Sequence, residues 1–334
     1  MRKKVIFIMG TAHCGSTLLT MVLGSHTECL ALGEVSNFPE AYRKGKPICA
    51  VCQGECSFWN HRFSPAESQL LVDGFSEQRL HKHIPLKLEK KVRGLLKMDQ
   101  VFNPYSLIAS KVDETVLIDS TKTVYWLTKK LAAREFTDHL LEPYLIHLIR
   151  DGRAVMGSYS RRKQYQGLSA QDFGEQFGTL WKTRLNNENN FFDRYQGNKR
   201  QLRYEEFATQ PEKIATDLCD WLGIPFEVDM LNYWKHQHHT ISGNGGTRAS
   251  VKKYQEKNST EKSSLEQKAY KNAEQNNAPT AAAIAGKHTA PAKDFGIRLN
   301  VKWPKTLSSE QLEAFYRTTN NMNKAYEWES ADPS

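Results

Sequence analysis

Short apolar runs alternate with amphipathic stretches along residues 1–250. Val5–Met9, Val116–Asp119 and Tyr144–Ile149 are β-rich, almost wholly apolar and bounded by polar or glycine residues. Runs of this kind suit the strands of a parallel sheet buried on both faces. Each leads into a helical pattern, over Ser16–Leu23, Tyr125–Arg134 and Arg153–Arg161 respectively. A further helix is predicted over Pro211–Leu222, with proline at its start, Gly223 after its end, and Ile214, Leu218, Trp221 and Leu222 at helical spacing. The alternation predicts an α/β fold: three layers, a central mostly parallel sheet flanked by helices, with a phosphate loop after the first strand.

The pattern changes at residue 251. Lys, Glu, Gln, Asn, Ser, Thr and Ala dominate 251–293, with only Tyr254 and Tyr270 as aromatics. Such a stretch buries too little to offset its ordering entropy, so a mostly disordered insertion is predicted there, with room for a transient helix. Order is expected to return at Phe295–Trp303, and Ser308 with Gln311 has capping-box spacing for a last helix. The expected organisation is a core over 1–250, the insertion over 251–293, and a segment over 294–330 completing the core.

Composition narrows the picture only slightly. The 334 residues are 39% hydrophobic and 25% charged, enough for a sizeable core. Lys+Arg number 46 against 37 for Asp+Glu, a formal charge of +9, which points to anionic partners without choosing among them. No apolar run approaches the ~20 residues of a membrane span. The opening basic and apolar residues resemble a leader, but the run from Val5 to Met9 is short and Gly10 and His13 follow, so a first strand and a cytoplasmic location are expected.

Two segments carry candidate chemistry. In Gly10-Thr-Ala-His13-Cys14-Gly15-Ser16-Thr17 a strand ends and a helix opens. Backbone N–H groups there, the helix dipole and the two hydroxyls make a phosphate site. The spacing copies the G-x4-G-K-[ST] loop of nucleotide-hydrolysing enzymes, but Ser16 stands where lysine belongs, which disfavours a kinase. An ordinary tight turn remains the plain alternative. In the second segment Arg150 ends a buried run and Ser158 lies two helical turns on. An arginine holds a phosphate bidentately and a serine hydroxyl can complete the site, where an Arg150 that pairs with Asp151 or caps a carbonyl is the plain reading.

Together these segments resemble the sulfotransferase family that uses 3′-phosphoadenosine 5′-phosphosulfate (PAPS), in its bacterial, carbohydrate and tyrosylprotein branches. The family's G-x-x-R-S-G-S-T-L-L reads as Gly10 to Leu19, and its Arg-x7-Ser motif as Arg150 and Ser158. In chain order follow Gly33-Glu34, Asp119-Ser-Thr-Lys122, Tyr204-Glu-Glu-Phe207, Leu222-Gly-Ile-Pro225-Phe and His239-Thr-Ile-Ser-Gly243-Asn244 to Arg248. The resemblance covers about 1–250 and resumes near 296–328. It implies sulfuryl transfer from PAPS, as co-substrate, to a hydroxyl acceptor that is a small molecule, carbohydrate or peptide, with no catalytic metal and no nucleic-acid partner. It implies that Cys14, Gly15, Ser16 and Thr17 hold the 5′-phosphosulfate. Arg150 and Ser158, with Arg248 assisting, would hold the 3′-phosphate, and Tyr204 would meet the adenine, where a core tyrosine at a strand end is the plain reading. It makes Glu34 the base, where a helix cap or an arginine partner is the plain reading. Lys122 would stand beside the transferring group, where a solvated lysine is the plain reading. The chain departs from the family at His13, in place of Arg or Lys, and at Cys14, in place of Ser. A protonated His13 replacing that cation would make the rate fall as pH rises through its pKa.

Two other features stay open. Cys49-x2-Cys52-x3-Cys56 with His61 has zinc-like spacing, although free loop thiols or a local disulfide are preferred. Of His236, His238 and His239, only the last fits the resemblance. A P-loop small-molecule kinase and a non-enzymatic basic nucleotide- or nucleic-acid-binding protein are the competing functions. Acceptor-lining loops are expected at 35–110 and 159–200, where Phe38, Tyr42, Trp59, Tyr105, Tyr125, Trp126, Tyr165 and Trp181 line a pocket or fill the core.

Overall fold

A computed structural model describes residues 2–52, 54–76, 88, 103–258 and 295–328. Its centre is the first apolar run, β1 (Lys4–Met9), every residue of which is buried. β1 is central because it has a parallel neighbour on each side: β3 (Val116–Lys122) and β4 (Glu142–Ile149). Two edge strands complete a five-stranded parallel sheet in the order β2-β3-β1-β4-β5. They are β2 (Cys29–Gly33) and β5 (Asn198–Arg203).

The two edges differ in how they stand out in the sequence. β5 reads Asn-Lys-Arg-Gln-Leu-Arg and buries only Leu202 fully, so it carries no apolar signature. β2 is wholly buried although it is an edge strand, because another segment covers it. The Ile241 amide donates to Leu32 O at 2.8 Å and the Glu34 amide donates to Ile241 O at 2.8 Å. A side chain on Gly33 (φ 80°) would strike that segment, its Cβ lying 2.4 Å from Ile241 O.

The helices that frame the site are α1 (Ser16–Leu23), α2 (Gly152–Tyr159), α3 (Ala170–Arg194), α4 (Pro211–Leu222) and α5 (Ser309–Thr319). α1 and α4 match the residues predicted for them, and α4 ends on Gly223 in the left-handed region at φ 66°. The stretch predicted as one helix over 125–134 is two short ones, Val124–Lys130 and Arg134–Thr137. α5 carries the expected capping box at Ser308 and Gln311.

α5 packs along α3. Phe315 is fully buried against Phe177 and Trp181, with ring centroids 5.7 and 5.6 Å away. Gly174 and Gly178 let the helices approach closely: a Cβ on Gly174 would lie 2.5 Å from Gln311 O. Each buried aromatic of this second core contributes about 1.5–3 kcal/mol by burial. Residues after α5 then return to the sheet, where Arg203 Nη2 donates to Tyr326 O at 3.0 Å and Glu327 O at 2.9 Å.

Residues 245–258 are helical and Val251 is fully buried, so the helix runs past the boundary drawn at 251 because Val251 and Tyr254 have a core to join. Tyr254 packs edge-on against Phe295 at 5.6 Å. The rest of the predicted insertion, 259–294, lies outside the described residues. Among the described residues no helix is long and apolar enough to cross a membrane. Of the aromatics considered for an acceptor pocket, Phe38, Trp59, Tyr105, Trp126 and Trp181 are 3% exposed or less and belong to the core. Tyr42, Tyr125 and Tyr165 are half-buried.

Candidate active site

All five strands are parallel, so their carboxyl ends share one edge of the sheet, where α/β folds place ligands. Each strand leads into candidate residues there. β1 runs into Gly10 and the loop to Thr17, and β2 into Glu34. β3 ends on Lys122, β4 runs into Arg150, and β5 into Tyr204.

The loop after β1 is held by close approach. Gly15 (φ 97°) occupies the N-cap of α1, and a Cβ there would lie 2.3 Å from the Tyr204 ring. α1 has no side-chain cap at its start, leaving the positive end of its dipole to the loop. Thr17 is buried, and its Oγ1 accepts from the Asn244 amide at 2.8 Å. Ser16 is buried at the helix start. Cys14 is fully buried, and burial pushes its thiol pKa up, so it stays a neutral thiol.

Lys122 and Glu34 meet across the β2–β3 edge. Lys122 Nζ pairs with Glu34 Oε1, both side chains being partly accessible. Glu34 Oε2 accepts from Asn37 Nδ2 at 3.3 Å. Lys122 holds φ 76°, a left-handed conformation that costs about 1–2 kcal/mol for a residue with a Cβ. The hydrogen bonds of Asp119 compensate. Its Oδ1 accepts from the Thr121 amide and hydroxyl at 2.8 and 2.6 Å. Its Oδ2 accepts from Tyr105 Oη and Trp126 Nε1 at 2.6 and 2.7 Å. Asp119 thereby fixes the turn that presents Lys122.

His13 also has positive φ, 66°. Burial, reinforced by Arg162, Arg150, Lys122 and Arg161, lowers its pKa from 6.5 to about 4. His13 is therefore neutral at physiological pH, which corrects the picture of a protonated His13 replacing the family's cation. Arg162 brings the positive charge instead: its Nη2 lies 3.0 Å from His13 Nε2, and its guanidinium stacks on Tyr159 at 4.0 Å. Nothing in the loop motif points to Arg162; the only signal is the basic run Arg161-Arg162-Lys163 just after α2.

Arg150 is buried. Its Nη1 donates to His13 O at 2.8 Å, its Nη2 donates to Asn300 O at 2.7 Å, and its plane lies 4.3 Å from the Tyr204 ring centre. It does not pair with Asp151. That carboxylate accepts from Arg153 Nη2 at 2.7 Å, the Arg153 amide at 2.9 Å, Asn323 Nδ2 at 3.2 Å and the Trp328 amide at 3.1 Å. Among the described residues no carboxylate lies within 4.0 Å of the Arg150 guanidinium, and its buried Nε has no hydrogen-bond partner. Tyr204 Oη donates to Arg298 O at 3.1 Å, so the segment after 295 lies over both side chains.

The remaining candidates stand apart. Ser158 is half-buried on α2, its hydroxyl donating to Ala154 O at 3.1 Å within its own helix. Arg248 Nη1 donates to Ala50 O at 2.9 Å, placing it against the cysteine loop.

The loop after β1, the Lys122–Glu34 pair and Arg150, which has no carboxylate within 4.0 Å among the described residues, thus share one edge of the sheet. The chain belongs to the sulfotransferase family, whose model matches residues 5–228, well over half of it. Similar solved structures include the sulfotransferase domain of the curacin biosynthetic pathway. It is 20% identical over 74% of this chain and 82% of that one, with a TM-score of 0.46. The sulfotransferase domain of the Synechococcus PCC 7002 olefin synthase is 20% identical over 76% and 89%, with a TM-score of 0.45. Retinol dehydratase in complex with androsterone and inactive cofactor PAP is 14% identical over 99% and 84%, with a TM-score of 0.39. No curated protein matches the chain.

Proposed function

We propose that this sulfotransferase uses PAPS as donor and a hydroxyl group as acceptor, with Glu34 as general base. The observation that carries the reading is the convergence of anion-binding and proton-accepting groups at the carboxyl ends of all five strands. The loop Cys14–Thr17 binds the 5′-phosphosulfate. Arg150, already oriented but without a carboxylate partner, takes the 3′-phosphate, with Ser158 reaching it as donor binding reshapes that end. Tyr204, beneath Arg150, borders the adenine. Arg248 assists only if its bond to Ala50 O gives way.

In the reaction the acceptor oxygen forms a bond to sulfur while the bond from sulfur to the bridging phosphate oxygen breaks. The electron pair leaves with 3′,5′-bisphosphoadenosine (PAP), and Glu34 takes the acceptor's proton. Lys122 pairs with Glu34 before donor arrives. It then turns to the bridging oxygen, offsetting the charge that develops there and freeing the carboxylate. Arg162 supplies a second positive charge at the loop, held in place through neutral His13. The products are a sulfate ester, PAP and a proton on Glu34.

Thermal unfolding with candidate ligands tests the donor. PAP should raise the melting temperature in magnesium-free buffer. Stabilisation by magnesium-ATP and not by PAP would instead mark a kinase. Transfer of labelled sulfuryl from PAPS to a panel of phenols, sugars and tyrosine peptides then identifies the acceptor class.

A further inference from the structure

Cys49, Cys52 and Cys56 are brought to a fourth group that the local spacing does not indicate. His61, the nearby histidine, is exposed at the end of the short helix Ser57–His61. His239, more than 180 residues further along the chain, faces the thiols instead. Its Nδ1 lies 3.2 Å from Cys56 Sγ and 3.5 Å from Cys52 Sγ. All four donor atoms lie within 4.8 Å of one another, and all six cysteines of the chain are free thiols.

We infer that Cys49, Cys52, Cys56 and His239 form a structural zinc site. Zinc in a closed site takes four sulfur and nitrogen ligands tetrahedrally, with Zn–S near 2.3 Å and Zn–N near 2.0–2.1 Å. Those bond lengths put neighbouring sulfur and nitrogen ligands about 3.6 Å apart and neighbouring sulfurs about 3.8 Å apart. The two sulfur–nitrogen separations, 3.2 and 3.5 Å, lie at or just inside that spacing, and no two of the four donor atoms are more than 4.8 Å apart. A disulfide would use two of the four groups and leave a thiol and an imidazole facing each other.

The surroundings also suit a metal. Cys49 and Cys56 are 2% and 0% exposed. The Cys52 amide points at Cys49 Sγ at 3.3 Å, a donor that favours a thiolate within the C-x2-C turn. The His239 ring is stacked on Phe58 at 5.7 Å, and its carbonyl accepts from Trp59 Nε1, which together aim Nδ1 at the sulfurs. On binding, the three thiols release their protons to solvent as the Zn–S bonds form, and no electron transfer is involved.

The consequence reaches the active site. The metal joins the loop 49–56 to the strand-like segment 238–241, already paired through the Ala50 amide and Thr240 O at 2.9 Å. That segment covers β2 and receives the Glu34 amide at Ile241 O, and a few residues on the Asn244 amide reaches Thr17. The zinc is a staple that fixes the backbone presenting Glu34, not a reactant.

The test is metal analysis of the full chain, purified without a histidine tag or chelator. The inference predicts about one zinc per chain. Cys56→Ser and His239→Ala should lose it, while His61→Ala and the ligand-preserving His239→Cys should keep it. Cobalt exchanged into the site should give thiolate-to-metal charge-transfer bands and the intense visible bands of tetrahedral coordination. PAP binding by wild type is measured in parallel, so the outcome stands independently of the donor assignment. A chain that holds no zinc as purified and takes up none in equilibrium dialysis overturns the inference. So does zinc retained in full by both Cys56→Ser and His239→Ala, or a disulfide among these cysteines in the native protein.

Discussion

The two ends of the candidate site are built on different electrostatic plans. At the β2–β3 end, Lys122 and Glu34 satisfy each other, on a backbone that holds Lys122 in a costly conformation. At the β4–β5 end, Arg150 is bonded to two neutral carbonyls and stacked on Tyr204, while the adjacent Asp151 is occupied by Arg153, Asn323 and Trp328. A charge pair that is complete in the free protein suits a proton-transfer step, because either member can be redirected as the reaction proceeds. A guanidinium with no carboxylate within 4.0 Å among the described residues suits binding, because an anion adds the charged acceptor that the two carbonyls do not. Under the proposed function, the difference assigns turnover to the first end and affinity to the second.

Substitutions can break that separation. The largest expected effect is at Glu34→Gln, where turnover should fall by about 10²–10⁴-fold, the contribution of a positioned base, with PAP affinity unchanged. Rapid-quench measurement of sulfuryl transfer checks this. Arg150→Ala should do the reverse, weakening PAP by about 10–100-fold in titration, as befits charge-assisted hydrogen bonds of about 1.5–3 kcal/mol, and leaving the rate at saturating donor much less affected. If both variants change the same parameter, the two ends do not have separate roles.

Gly15→Ala probes the seam between the ends, since the loop and Tyr204 meet there. Its left-handed backbone and the ring contact predict a loss of about 1–3 kcal/mol in denaturant unfolding. The smallest effect concerns pH. His13 is held neutral, at pKa about 4 against 6.5, by burial first and the neighbouring cations Arg162, Arg150, Lys122 and Arg161 second. Between pH 6.5 and 4 the unfolded chain binds protons that the folded chain refuses, so stability should fall as pH is lowered through that window. Turnover should show no step from His13 titration above pH 5, whereas a step near 6.5 that disappears in His13→Asn would restore the protonated-histidine picture.

How much of this was legible beforehand depended on whether the signal was local. β1, β3 and β4 are buried on both faces, so apolar runs mark them. β5, at an edge and mostly exposed, has no such run, and β2 is covered by a segment 200 residues further along the chain. The loop after β1 and Arg150 stood out as strand ends within short motifs, and Glu34, Lys122 and Tyr204 were candidates through the resemblance; the parallel sheet brings all of these strand ends to one edge. Arg162 and His239 were not assigned their contacts, because those arise from tertiary packing. Arg162 reaches His13 from beyond α2, and His239 reaches the cysteines from the segment that covers β2. The plain alternatives for Arg150 were likewise undecidable from the motif alone: the fold gives Asp151 to Arg153, but it does set Arg150 on two backbone carbonyls, His13 O and Asn300 O.

Calorimetric titration of the full chain with PAP in magnesium-free buffer, beside Arg150→Ala and with magnesium-ATP as the competing ligand, tests the central claim most directly. The account predicts saturable binding of PAP to the wild-type protein, strong weakening in the variant, and no requirement for magnesium. Binding of magnesium-ATP with no heat from PAP, or PAP affinity unchanged by loss of the Arg150 guanidinium, would contradict it.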